Sequence, residues 1–196
     1  MTQNSTGWEE ANQSGKFDSA ALYKELRGDC IDVPWKKMFF KNHVSPIERF
    51  TLWLTLMERL PTKDRLVRFG FSQDNTCCFC KKEETLDHLF FCSEFTNRIW
   101  GKMLVWNGYH RSILPWDSER QWLISETSKK GWRREILKIT FAETIYQLWL
   151  TRNDVVFNHN PPRLDIHNGI QERIIGRSLT NRKLSIHVDV SLMSLR

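Results

Sequence analysis

Cys77-Cys78-Phe79-Cys80-Lys81-Lys82-Glu83-Glu84-Thr85-Leu86-Asp87-His88-Leu89-Phe90-Phe91-Cys92 decides how the chain is read, because four of its five cysteines fall inside these residues. Two residues separate Cys77 from Cys80, seven separate Cys80 from His88, and three separate His88 from Cys92. Two residues between thiolates allow a tight turn that aims both sulfurs at one ion. Three residues between His88 and Cys92 place them one turn apart on a helix, hence on one face. Seven residues are enough to bring the chain back. Sulfur and imidazole are the donors zinc prefers, in a tetrahedral shell at about 2.0 to 2.3 Å. Cys78 is the spare thiol: paired with Cys80 it would leave a single residue between ligands, a poor bite, so Cys77, Cys80, His88 and Cys92 are the expected ligands. Four protein ligands close the shell, which points to one structural zinc ion and not to a catalytic one. Three thiolates and a neutral imidazole leave one net negative charge, which Lys81 and Lys82 can offset.

Around this stretch the chain reads as mainly α-helical, with the zinc-stapled loop-and-helix unit inserted. Downstream, Ser93 is placed to cap a helix carrying Ile99, Trp100, Met103, Leu104 and Trp106, which Gly108 ends. Upstream, Ser45-Pro46-Ile47-Glu48 combines a capping serine, a proline at the first helical position and a capping-box glutamate. The helix that follows bears Ile47, Phe50, Leu52, Trp53, Leu54, Leu56 and Met57. It is apolar on most of its circumference and is expected to run through the core. Pro61-Thr62 stops it and opens a short helix from Lys63 to Phe69 that Gly70 ends. Beyond the loop from Ser112 to Asp117, a helix is predicted from Ser118 with Trp122 and Leu123 inward. The longest helix should run from Trp132 to Phe157, on a stripe of Phe141, Ile145, Leu148, Trp149 and Val156, until Pro161-Pro162 breaks it. A further helix is predicted over Asp165 to Ser178. At the ends, residues 1–16 read as disordered and Asp18 to Leu26 as a short helix. Cys30 reads as a small buried apolar residue. Leu184, Ile186, Val188 and Val190 alternate with polar residues as in a short C-terminal strand.

Among 196 residues, 40% are hydrophobic and nine are tryptophan, enough for a core built on large aromatic rings. The formal net charge of +6 is compatible with a polyanionic partner. An odd number of cysteines and a polar N-terminus with no apolar signal core fit an intracellular chain, nuclear or cytoplasmic, neither secreted nor in a membrane. No adjacent aspartate pair of the polymerase kind, Gly-rich phosphate loop, GxSxG or HExxH occurs. His43, His110, His159, His167 and His187 are scattered and read as ordinary surface or core histidines. The chain is therefore read as a non-catalytic module.

Two groups of cations stand out. Lys81 and Lys82 flank the cysteine turn beside Phe79, an arrangement able to hold a phosphate and stack a base. The alternative for Phe79 is to pack on the helix carrying Phe90 and Phe91. Lys129, Lys130, Arg133 and Arg134 gather at the start of the long helix, where the dipole favours anions instead. A phosphate backbone would favour them there, and a solvated charged face is the other reading.

Taken together, the motifs resemble the zinc-binding domain found C-terminal to the reverse transcriptase in plant LINE-type, non-LTR retrotransposon polyproteins. The resemblance rests on Arg59-Leu60-Pro61-Thr62-Lys63-Asp64-Arg65-Leu66, on Cys77-Cys78-Phe79-Cys80, Glu83-Glu84-Thr85, His88-Leu89-Phe90-Phe91 and Cys92, and on Ile99-Trp100 after them. Ile145-Tyr146, Trp149, Arg152-Asn153 and Phe157 extend it into the long helix. Where the family has a lysine soon after its proline, Pro46 is followed here by Ile47 and Glu48. The resemblance implies a zinc-binding domain over residues 17–108 with a helical extension over 109–196. It also implies RNA or single-stranded DNA, or a reverse transcriptase domain of a parent polyprotein, as partners. Polymerase and endonuclease regions are absent from the sequence, so the expectation is a detached C-terminal piece, fragment or stand-alone, to which polymerase activity does not carry over.

Overall fold

Ser45 begins the first helix as its sequence demands: its hydroxyl accepts the Glu48 N–H at 3.5 Å and the Glu48 carboxylate accepts the Ser45 N–H at 3.3 Å, a reciprocal box that satisfies two otherwise orphaned donors. The computed structural model describes residues 33–38 and 44–180, together with Tyr23. Six α-helices lie within them: α1 (Pro46–Leu56), α2 (Lys63–Arg68), α3 (Glu94–Trp106), α4 (Trp116–Ser128), α5 (Trp132–Asn158) and α6 (Ile166–Leu179). A 3-10 turn at Pro34–Met38 and a π-helical turn at His88–Cys92 complete the helical elements. The one bridge of β type among the described residues pairs Thr76 with Glu83, antiparallel. Mainly α architecture is thus what the chain adopts. The readings for residues 1–16, the helix from Asp18 to Leu26 (Tyr23 apart), Cys30 and the strand over Leu184 to Val190 lie outside the described residues.

Pro61 is not what stops α1, which ends at Leu56 ahead of a left-handed Glu58 at φ +53°, but other breakers act where expected. Gly70 and Gly108 take φ of +76° and +82° just after α2 and α3, a conformation that a side chain at Cβ disfavours. α5 ends at His159, itself left-handed at φ +56°, ahead of Pro161-Pro162. α4 starts two residues before the predicted Ser118, at Trp116, because Pro115 supplies the extended N-cap backbone.

α5 is the axis of the fold and packs against α1, α3, α4 and α6. From Ile136 to Ile145 every residue of it is buried, so it is enclosed on all sides there and not only along the predicted stripe. α1, expected to be the buried helix, is half in water. Its inner face is Glu48, Thr51, Leu52, Thr55 and Leu56, while Ile47, Phe50 and Trp53 are exposed. Burial of the threonines is tolerated because their hydroxyls donate to the carbonyls one turn back, at 2.9 Å each, so these polar residues enter the core already satisfied. Trp100 joins three helices: its ring lies edge-on to Phe141 of α5 at 5.4 Å, and its Nε1–H donates to Glu119 of α4 at 2.7 Å. Glu119 is fully buried and also accepts from Arg111 and from the Leu114 N–H, so its charge is compensated. Within the described residues, no helix is long and apolar enough to cross a membrane.

Candidate metal centre

The cysteine turn is built by its own backbone. Cys77 N–H donates to the Lys82 carbonyl at 2.6 Å and Lys81 N–H returns to the Cys77 carbonyl at 3.0 Å. The turn closes because Lys81 adopts φ +62°. The Phe79 N–H points at Cys77 Sγ, 3.5 Å away. On the other arm Leu89, Phe90 and Phe91 are buried, and Phe91 stacks on Trp116 at 5.6 Å, so the core itself anchors the segment carrying His88 and Cys92.

These two arms bring the donors of Cys77, Cys80 and His88 within 4.8 Å of one another. Cys80 Sγ lies 2.9 Å from His88 Nε2. The Cys77 thiol is held down to about 5, first by the hydrogen bond from the Cys78 thiol and then by the backbone N–H groups of Phe79 and Cys80. The same hydrogen bond pushes Cys78 well above the ordinary thiol range. The two adjacent cysteines are therefore shifted in opposite directions, Cys77 downward and Cys78 upward. Two sulfurs and an imidazole form a donor set that suits zinc.

Cys92 is placed differently. His88 and Cys92 sit on a π-helical turn, closed by Ser93 N–H donating to the His88 carbonyl at 2.8 Å, where an α-helical turn was expected. The Cys92 thiol is exposed and donates to Asp87 Oδ2 at 3.4 Å, and burial followed by this bond pushes it up to about 11. The other oxygen of Asp87 accepts the Trp116 N–H at 2.7 Å, at the first residue of α4.

The loop is tied to the helices by a residue that motif spacing did not single out. Glu84, one residue beyond the Thr76–Glu83 bridge, is fully buried and accepts from Arg152 Nη2 of α5 at 2.7 Å and from the Lys63 N–H of α2 at 2.9 Å. Arg152 and Glu84 both enter the sequence reading only through the family resemblance, since a glutamate between Glu83 and Thr85 carries no local signal of a partner in a distant helix.

The cationic candidates divide. Phe79 packs on Phe95 of α3, ring centres 4.7 Å apart, and joins the core. Lys81 and Lys82 are exposed beside the turn. Lys129 pairs with Glu126 in the last turn of α4, and Arg134 reaches the same carboxylate at 3.1 Å. That glutamate is what offsets cations at the start of α5. Lys130 and Arg133 are exposed, with the Arg133 guanidinium 5.2 Å from the Trp132 ring.

The family model for zinc-binding in reverse transcriptase matches residues 17–100. This part of the chain is similar to a reverse transcriptase zinc-binding domain. The matched span holds Cys77, Cys80, His88 and Cys92 together with Glu84, covers less than half of the chain, and stops inside α3. Thus α4, α5 and α6 lie beyond the reverse transcriptase zinc-binding match, although Arg152 of α5 holds its loop. No curated protein and no solved structure gives a significant match.

Proposed function

We propose that the chain is a non-catalytic module that holds one structural zinc ion through Cys77, Cys80, His88 and Cys92 and binds single-stranded nucleic acid, RNA or DNA. It would be of the kind that follows the reverse transcriptase in plant LINE-type polyproteins, working in the nucleus or cytoplasm. The convergence of Cys77, Cys80 and His88 within the matched span carries the reading. Bound zinc would cross-link the cysteine turn to the His88–Cys92 turn, and Cys92 would leave Asp87 to complete the shell. The nucleic-acid part is supported by the net charge of +6 and by the exposed cations Lys81, Lys82, Lys130 and Arg133. Pairing of Lys129 and Arg134 with Glu126 removes those two from the free cations. Zinc content of the dialysed protein and oligouridylate binding across a salt series test both halves. With about four phosphates engaged, the log–log slope on single strands is near −3. Absence of stoichiometric zinc defeats the first half, and absence of binding at low salt defeats the second.

A second reading, in which zinc only stabilises the fold and the module docks on a polymerase domain of a parent polyprotein, is favoured by the exposed Ile47, Phe50 and Trp53 of α1. It expects Phe50→Glu to abolish association with that domain and to leave oligouridylate binding as it was.

A further inference from the structure

Across the contact between α3 and α6, Lys102 Nζ lies 3.1 Å from His167 Nε2. Arg98 sits one helical turn before Lys102 on α3, and its charge acts on the same imidazole. Both α3 cations are exposed, and among the described residues neither has a carboxylate within ion-pair distance. Asp165, the acid whose charge acts on this imidazole, is engaged by Arg163 at 3.7 Å. His167 is the second residue of α6, a helix of fourteen residues whose N-cap, Asp165, makes no side-chain capping bond, so the positive end of the helix dipole adds to the three basic groups.

An ammonium can only donate, so the imidazole of His167 accepts from Lys102 in its neutral form, and Arg98 and Lys102 are the two charges that an anion would share. A phosphate meets every feature of the cluster: the ammonium of Lys102 as a point charge, the planar guanidinium of Arg98 as a forked donor, and the imidazole as a third donor once protonated. We propose that Arg98, Lys102 and His167 form an oxyanion site that takes one backbone phosphate of a single-stranded nucleic acid. The site deepens the nucleic-acid reading above and rests on it. It places a contact on the α3–α6 face, where neither the cysteine turn nor the start of α5 had suggested one.

Burial, followed by the charges of Lys102 and Arg98, holds the His167 imidazole below its ordinary value, with Asp165 and the Leu164 carbonyl acting the other way. An oxyanion bound there reverses the balance, so His167 reports occupancy. The test uses the full zinc-loaded chain with oligouridylate as probe, comparing wild type with the Arg98→Gln/Lys102→Gln double variant. The two residues are exposed, and melting temperature and zinc content check that the fold is kept. Loss of one phosphate contact lowers the magnitude of the single-strand salt slope by about 0.7. In the wild type, oligouridylate raises the NMR titration midpoint of the His167 ring, assigned by its disappearance in His167→Gln, and in the double variant it does not. An unchanged slope and affinity in the double variant overturn the site while leaving the nucleic-acid reading intact. If the wild type binds no oligouridylate, that reading fails, and inorganic phosphate replaces the probe. A rise in the His167 midpoint then supports an oxyanion site for free phosphate, and a flat response overturns it.

Discussion

Arg152 and Glu84, 68 residues apart, form a buried ion pair that fastens the cysteine loop to the central helix. The guanidinium offers Nη2 at 2.7 Å and Nε at 3.2 Å to one carboxylate, and its Cζ lies 5.0 Å from the centre of the Trp149 ring. Because Glu84 also accepts the Lys63 N–H, one carboxylate joins the loop, α2 and α5. The loop is therefore held at its base by this pair, while Cys80 and His88 meet at its tip.

Removing one partner of such a pair leaves a charge buried without compensation. Arg152→Met is expected to cost about 3 to 5 kcal/mol in urea unfolding of the zinc-loaded protein. Adding Glu84→Gln to Arg152→Met should recover part of the loss, since the stranded charge is gone. A cost within the range of about 0 to 1 kcal/mol typical of surface pairs would mean that water reaches the site.

The two adjacent cysteines should separate cleanly by mutation. Cys77→Ser, Cys80→Ser, His88→Ala and Cys92→Ser each lose stoichiometric zinc, measured by elemental analysis after dialysis. Cys78→Ser keeps it, because Cys78 is not among the converging donors Cys77, Cys80 and His88. If Cys92→Ser kept its zinc and Asp87→Ala lost it, the fourth ligand would be the carboxylate that now accepts from Cys92.

Chelation should melt the loop before the helices. Structural zinc in small fingers contributes roughly 10 to 16 kcal/mol of apparent folding free energy. Whole domains are stable by only about 5 to 15 kcal/mol. Hydrogen exchange after chelator treatment is expected to rise most between Thr76 and Phe95, while the core of α5 exchanges slowly, since Ile136 to Ile145 are buried independently of the metal. Unchanged exchange across the loop would show that the Glu84–Arg152 pair and the buried Phe90 and Phe91 suffice to hold it.

A pH dependence follows from the cluster of Glu48, Glu143 and Arg177. Burial pushes Glu48 up, but hydrogen bonds from Arg177 and Ser45 outweigh it and hold the carboxyl below its usual range. Glu143 goes the other way, raised by burial and by the charge of Glu48, with Arg177 only partly offsetting them. Stability from Glu48 is present above its unfolded value and lost as pH falls through the lower folded one. The contribution of Glu143 has the opposite sign: it is complete below the unfolded value and lost as pH rises through the higher folded one. Glu143→Gln should thus match the wild type in melting temperature in acid and gain on it as pH approaches neutrality. A variant that falls behind at neutral pH would show that Arg173 and Arg177 stabilise the ionised carboxylate more than burial penalises it.

What the sequence determined by itself is local. Ser45-Pro46-Ile47-Glu48 sets a helix start, Gly70 and Gly108 set two helix ends, and Pro161-Pro162 follows a third. In each case the hydrogen bonds or dihedral limits involved reach only a few residues. The convergence of Cys77, Cys80 and His88 was legible for the same reason, as the intervals between donors are short enough for two turns to bring them together. Only the tertiary structure decided which face of α1 meets the core and which helix is enclosed. It also decided that Glu84 meets Arg152, that Glu48 meets Arg177 across 129 residues, and that Glu126 takes up Lys129 and Arg134. A carboxylate's neighbours in sequence do not say whether it will be buried. That depends on which cation the packed helices deliver to it, and an unpaired buried charge is costly enough that the arrangements that survive are those in which one arrives.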